Sequence, residues 1–276
     1  MPAPAPAPTP APTPAPDPLV ARLRAAGCVF AEDEAALLRG TGAEPEALEG
    51  LVARRVAGEP LEVLLGWAEV DGVRVRTAAG VFVPRRRSLL LARAAAAHLA
   101  GRDTPTVLLD LCCGTGALAR LVLALLERGG HPAPAQVHAA DLDPLATACA
   151  AANLPGAQVH TGDLLDALPE TLRGHVDALV VNAPYVPTDA LADLPPEARE
   201  HEPRHALDGG ADGLDLHRRV AAHAAEWLAP EGLLVLECAP GQQATAVRAL
   251  EQGGLTATLL TDEELGATGV AGVLPR

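Results

Sequence analysis

The chain is 276 residues long, enough for one large domain plus a small one and for a sizeable buried core. Hydrophobic residues make up 49% and aromatic residues only 2%, so the core must be built from Leu, Val and Ala. All 21 basic residues are Arg, which excludes a lysine Schiff base or a P-loop lysine, and the formal net charge of −14 argues against a broad, sequence-independent grip on nucleic acid.

Residues 2–16 alternate Pro with Ala or Thr, so segment 1–16 reads as an extended, polyproline-like tail. From Asp17 to about Gly66 apolar residues fall at helical spacing (Leu19 and Leu23, then Leu48, Leu51, Val52 and Val56). Gly27, Gly40, Gly42 and Gly58 cut this stretch into short helices, predicting a small helical domain over 17–68. Between Glu69 and Val83 the period becomes two, with Asp71-Gly72 as a turn signal, predicting a β-hairpin linker over 69–84. Pro84 ends it, and Leu89–Leu99 reads as a helix opening a third segment, 85–276.

After Thr104-Pro105 the rhythm is strand, turn, helix, repeated. The predicted strands are Val107–Leu111, Val137–Ala140, Gln158–His160, Ala178–Val181, Leu233–Glu237, Thr256–Leu260 and Val270–Leu274. Strands alternating with helices imply an α/β, mostly parallel, seven-stranded sheet covered on both faces. Ligands of such sheets bind beyond the carboxyl ends of the strands.

Five cysteines without a CxxC spacing give neither a disulfide framework nor a zinc pattern, and nine histidines lack ligand spacing, so no metal is expected. No apolar run approaches the roughly 20 residues of a membrane span. The first residues carry neither the basic start nor the apolar run of a signal peptide. A cytoplasmic, monomeric enzyme without membrane attachment is expected.

The first functional candidate is Val107-Leu-Leu-Asp110-Leu-Cys112-Cys113-Gly114-Thr115-Gly116-Ala-Leu-Ala119, a strand running into a glycine-containing turn that opens a helix. Taken alone, Gly114 to Ala119 also satisfies a dinucleotide fingerprint, in which the glycines would cradle a pyrophosphate. A methyltransferase reading instead gives Asp110 to the cofactor's amino acid portion and Asp141 to the ribose hydroxyls. Asp143-Pro144 then start the next helix. Asp163 follows the third strand, where it could accept from an adenine amine while Leu164 packs on the ring, or else merely cap a helix. Three acids after three successive strands favour S-adenosylmethionine.

The second candidate follows the fourth strand: Asn182-Ala183-Pro184-Tyr185. An amide or aromatic amine nitrogen is a poor nucleophile because its lone pair is delocalised. Its N–H groups must therefore be held by acceptors that aim the lone pair at the methyl sulfonium. The Asn182 side-chain oxygen and the Ala183 carbonyl can be those acceptors, Pro184 stiffens the turn, and Tyr185 offers a flat face for a planar substrate.

Asn182–Tyr185 resembles the Asn-Pro-Pro-Tyr motif of amino and amide methyltransferases. Further stretches resemble the HemK/PrmC family of protein glutamine-N5 methyltransferases: Arg54-Arg-Val-Ala-Gly58-Glu-Pro60-Leu with Leu64-Leu-Gly66, then Val81-Phe-Val-Pro84-Arg85, and Glu202-Pro203-Arg204-His-Ala206-Leu207 through Gly213-Leu214. The resemblance implies a class I S-adenosylmethionine-dependent methyltransferase with a Rossmann-like sheet. It also implies methylation of the Gly-Gly-Gln glutamine of peptide chain release factors in translation termination. Cofactor contacts are implied at Cys112 to Gly116, Asp141, Leu164 and Asn182, and the substrate amide at Asn182, Ala183 and Tyr185, with Pro84-Arg85 near the cofactor entrance. Cys112 stands where the family has glycine, and Ala183 where it has the first Pro.

The main alternative is a nucleic-acid amino (adenine-N6 or guanine-N2) methyltransferase, with a flipped base on Tyr185; the charge and the lack of a basic recognition domain speak against it. An oxidoreductase lacks a Tyr-Lys pair, and a binding module that keeps the fold without transfer is the third reading. In the segment after the fourth strand Arg204 is expected to order a loop, while Glu202, Arg204 and Asp212 read equally as a structural ion-pair network.

Overall fold

Asp17 opens the first helix as a cap, its Oδ1 accepting from the Leu19 N–H at 3.0 Å, while Pro18 takes the first helical position with its fixed φ. The computed structural model describes residues 17–102 and 104–276; the Pro-rich tract 1–16 lies outside the described residues. The chain divides into two compact units, one ending at Leu64 and one beginning at Leu65. The first holds α1 (Pro18–Ala25), α2 (Ala31–Gly40) and α3 (Pro45–Val56). Leu23 and Leu38 are completely buried and Val52 nearly so, and the Glu34 carboxylate is held by Arg55 Nε at 2.6 Å. A short α4 (Leu61–Leu65) ends at the junction.

The second unit begins with a hairpin of β1 (Trp67–Val70) and β2 (Val73–Arg76), with Val70 opposite Val73. Its two turn residues, Asp71 (φ 51°) and Gly72 (φ 70°), are both left-handed, the combination whose twist matches a two-residue hairpin. Then follow α5 (Leu89–Ala100), β3 (Val107–Leu111), α6 (Ala117–Arg128), β4 (Gln136–Asp141), α7 (Pro144–Asn153), β5 (Gln158–Thr161) and β6 (Val176–Val181). The rest is α8 (Pro196–His201), α9 (Asp215–Trp227), β7 (Leu228–Glu237), α10 (Gln243–Gln252), β8 (Thr256–Asp262) and β9 (Ala267–Val273).

Seven strands form one sheet in the order β5-β4-β3-β6-β7-β9-β8, in which only β9 runs against its neighbours. Every residue of β3 and β6 is buried, as expected of central strands covered on both faces. One face packs against α5 and α6, through Leu91, Leu99, Leu118 and Val122; the other packs against α9 and α10, through Val220, Trp227 and Leu250. Connections from β3 run outward through β4 to β5, and the chain then returns to place β6 on the other flank of β3. That reversal opens the crevice at the carboxyl ends of β3 and β6.

β3 spans the expected Val107–Leu111, whereas the other strands of the sheet are longer than the apolar runs alone suggested, and β9 ends at Val273, one residue short of the expected Leu274. β7 begins at Leu228, pairs there with Val176, bulges over Ala229–Gly232 and resumes pairing at Leu233 opposite Ala178. A Cβ on Gly232 would lie 2.7 Å from the Val176 carbonyl oxygen, so the bulge needs glycine there.

Candidate active site

The Asp110–Gly116 loop leaves β3 through three left-handed residues: Cys112 (φ 57°), Gly114 (φ 53°) and Gly116 (φ 74°). Each has its own reason. Gly116 opens α6, and a Cβ there would meet Leu154 Cδ1 at 2.8 Å and Ala150 Cα at 3.2 Å, so it sets how closely α6 packs on α7. Gly114 has open space beside its Cα and gives its N–H to Asp141 Oδ2 at 2.8 Å. Cys112 holds a conformation that costs an L-residue about 1–2 kcal/mol.

Asp141, at the end of β4, binds backbone on both sides, since its Oδ1 also accepts from Asp143 N–H at 3.0 Å. The carboxylate thereby ties the β3 and β4 loops together, a role its spacing in sequence did not reveal. Two lone pairs per oxygen leave room for further donors. Asp143 caps α7 through Leu145 N–H at 2.8 Å, the structural job expected of it. Asp110 is buried, and its Oδ2 accepts from Ala119 N–H at 2.9 Å. Burial pushes its pKa up to about 8; the Ala119 bond opposes that, and the nearby Asp141 charge adds to it. A cationic group arriving here would be favoured. The Cys112 and Cys113 thiols are held well above their ordinary range by burial and by the carboxylates Asp110 and Asp141, so neither supplies a thiolate at neutral pH.

Asp163 makes no capping bond to the turn that follows it; its Oδ2 is held by Arg219 of α9 at 2.8 Å. Leu164, left-handed at φ 50°, turns into the same cavity.

These loops enclose a cavity of about 230 Å³. Its lining includes Pro84, Arg85, Asp110, Cys112, Cys113, Gly114, Thr115, Asp141, Asp163, Leu164, Asn182 and Pro184. Phe82, Leu142 and Leu216 complete its apolar walls, and Ser88 and Arg219 also reach it. Gly116, Ala183 and Tyr185, which the sequence pattern also singled out, do not line it. Ala183 is buried in the core, and the Tyr185 ring lies beside Arg87, whose Cζ is 5.7 Å from the ring centroid. An adenosyl-sulfonium fits this set of groups: apolar walls for a purine, carboxylates at Asp141 and Asp163 for hydroxyls and an amine, and buried Asp110 for a cation.

Behind Asn182 stand Ser88, Arg87 and Glu237, to which sequence reasoning gave no role, together with the expected Tyr185. Asn182 Nδ2 lies 3.2 Å from Ser88 Oγ, and Ser88 Oγ lies 2.7 Å from Glu237 Oε2. The other oxygen of Glu237 accepts from Tyr185 O–H at 2.9 Å and from Arg87 Nε at 2.7 Å. Burial, and then the Glu237 charge, push the Tyr185 phenol above its ordinary range, so the ring is no base at neutral pH.

Glu202, Arg204 and Asp212, in the segment after β6, do not form one network: each pairs separately, with Arg85, Asp208 and Arg218 in turn. Arg204 is mostly exposed, and Asp208 is also held by Thr188 Oγ at 2.6 Å and Gly210 N–H at 3.1 Å. Among the described residues no group of three or more His, Cys, Asp or Glu could hold a metal, all five cysteines are free, and no helix is long and apolar enough to cross a membrane.

No protein-family model matches the chain. A release factor glutamine methyltransferase of Mycolicibacterium smegmatis is 39% identical over 218 residues, covering 76% of this chain and 74% of that protein. One from Geobacter sulfurreducens is 36% identical, over 83% of this chain and 78% of that protein. A 4-amino-L-phenylalanine/4-methylamino-L-phenylalanine methyltransferase of Streptomyces pristinaespiralis is 38% identical, over 71% of this chain and 66% of that protein. With its class I sheet and its cavity at the carboxyl ends of β3 to β6, the chain belongs to the release factor glutamine methyltransferase family and is an S-adenosylmethionine-dependent methyltransferase.

Proposed function

We propose that the chain methylates the side-chain amide nitrogen of a glutamine, that of the Gly-Gly-Gln segment of a peptide chain release factor, and so acts in translation termination. The observation that carries this reading is Asn182: it follows β6 directly, lines the cavity, and has its Nδ2 engaged by Ser88. Similarity to proteins named for that activity supports the choice of substrate.

Asp141 and Asp163 take the ribose hydroxyls and the adenine amine of the cofactor, Leu164 packs on the purine, and Asp110 with the Cys112–Thr115 backbone receives the amino acid portion. When bound, S-adenosylmethionine supplies an electrophilic methyl carbon on a positive sulfur, which leaves as a neutral thioether. Asn182 Oδ1 accepts one N–H of the substrate amide, and the carbonyl of Ala183, which is buried itself but sits between the cavity-lining Asn182 and Pro184, takes the other, so that the nitrogen lone pair faces that carbon. The nitrogen sheds one proton to solvent. Pro84 and Arg85 line the entrance, and Tyr185 braces the turn. Ala183 in place of proline keeps the carbonyl and gives up only ring stiffness.

A second reading comes from the 4-amino-L-phenylalanine relative: a free aromatic amine is also a planar nitrogen with a delocalised lone pair. Labelled methyl transfer to a Gly-Gly-Gln peptide, its Gly-Gly-Asn counterpart, 4-amino-L-phenylalanine and an RNA separates the classes. We expect label on the glutamine peptide alone. Label on the aromatic amine, or on RNA, would overturn the glutamine assignment.

A further inference from the structure

We propose that Glu237 is a positioning residue that fixes, through the Ser88 hydroxyl, which end of the Asn182 amide faces the reacting nitrogen. The proposal rests on the role just assigned to Asn182 and adds the residues that impose it.

An ionised carboxylate only accepts hydrogen bonds. Glu237 ends β7, is 2% exposed, and is held as a carboxylate partner by Arg87 Nε at 2.7 Å. Its Oε2 lies 2.7 Å from Ser88 Oγ, so the single hydroxyl proton of Ser88 is given to Glu237. Toward Asn182, 3.2 Å away, Ser88 can then only accept. The amide end facing Ser88 must therefore be the NH2, which turns Oδ1 to the opposite side, on a residue that lines the cavity. The O and N ends of an amide are otherwise nearly isosteric, and only such a network tells them apart. The same carboxylate holds the Tyr185 hydroxyl at 2.9 Å, so one buried charge orients both ends of the Asn182–Tyr185 turn.

Glu237→Gln inverts this logic while keeping the shape. Its carboxamide oxygen still accepts from Arg87 and Tyr185, and its NH2 donates to Ser88. Ser88, relieved of its carboxylate acceptor, is free to turn its proton toward Asn182, which favours the flipped amide with its NH2 toward the substrate N–H groups.

The chain contains just two asparagines, Asn153 and Asn182, so selective 15N-asparagine labelling gives two side-chain NH2 signals. Asn153, whose Nδ2 lies 2.9 Å from both the Arg76 and Thr115 carbonyls, is the internal reference. In Glu237→Gln we expect the Asn182 NH2 signals to shift and exchange at least about tenfold faster, with Asn153 unchanged. Turnover on the glutamine peptide should fall about a hundredfold, as for a misplaced reacting group, while the cofactor Kd stays within about twofold. Ser88→Ala should lose turnover with the same unchanged Kd, and Ser88→Thr, which restores the hydroxyl, should recover most of it. Unmoved Asn182 signals, or Glu237→Gln turnover within about threefold of wild type, would overturn the proposal. If the wild-type chain transfers nothing to the peptide, the glutamine assignment fails, and the Asn182 signals alone then decide the role of Glu237.

Discussion

Cys112 shows how a single residue records both constraint and departure. It stands in the left-handed region at φ 57°, between a buried strand and the glycines that shape the cavity. The conformation costs a side-chain-bearing residue about 1–2 kcal/mol, partly offset by the about 0.5–1 kcal/mol of extra chain entropy that glycine would lose on folding. Cys112→Gly should therefore raise the unfolding free energy by about 0.5–1 kcal/mol, read as a higher urea midpoint at unchanged slope. A lower midpoint would mean that the thiol's packing outweighs its strain. At this scale the sequence was legible where a residue type is chemically rare in its setting: Asp110, Asp141 and Asn182 each interrupt or end an apolar strand. It was illegible for Ser88 and Glu237. Glu237 looks like the polar end of a strand, and its meaning comes from Ser88, Arg87 and Tyr185, which lie far away in sequence and meet it only after folding.

At the scale of elements, β4 and β5 carry a pair that ties stability to pH. His138 Nδ1 and His160 Nε2 lie 3.1 Å apart with stacked rings, and His138 is buried. Burial lowers the pKa of both below 6.5, with each other's proximity adding to the effect on His138; burial lowers His98 and His217 as well. A histidine with a depressed folded pKa binds its proton more readily in the unfolded chain. Its contribution is therefore fully present above about pH 6.5 and is lost as pH falls below that value. Urea unfolding at pH 7.5 and 5.5 should show a drop in stability at the lower pH, and His160→Gln should make that drop smaller. An equal drop in the variant would remove the pair from the account. The elements themselves were largely readable from pattern, because a β-strand buried on both faces must be an apolar run and the turns between runs carry Gly, Asp and Pro. Strand ends were not, because pairing continues wherever a neighbour supplies hydrogen bonds, as β7 does beyond its Gly232 bulge.

For the whole molecule, the net charge of −14 accords with the proposed neutral amide substrate and disfavours a broad grip on a polyanion. Transfer to a protein acceptor should change less than about tenfold between 50 and 200 mM salt, whereas a nucleic-acid substrate gripped through several phosphates would lose about 10³–10⁵ in affinity over that range. A steep salt dependence would revive the nucleic-acid reading. The most direct measurement combines the wild-type chain and its Asn182→Ala variant with labelled S-adenosylmethionine and an intact release factor, followed by site-resolved mass spectrometry. One methyl group is expected on the side-chain nitrogen of the Gly-Gly-Gln glutamine, with turnover in Asn182→Ala lower by about 10²–10³. A methyl group on any other residue, or an Asn182→Ala variant as active as wild type, would contradict it.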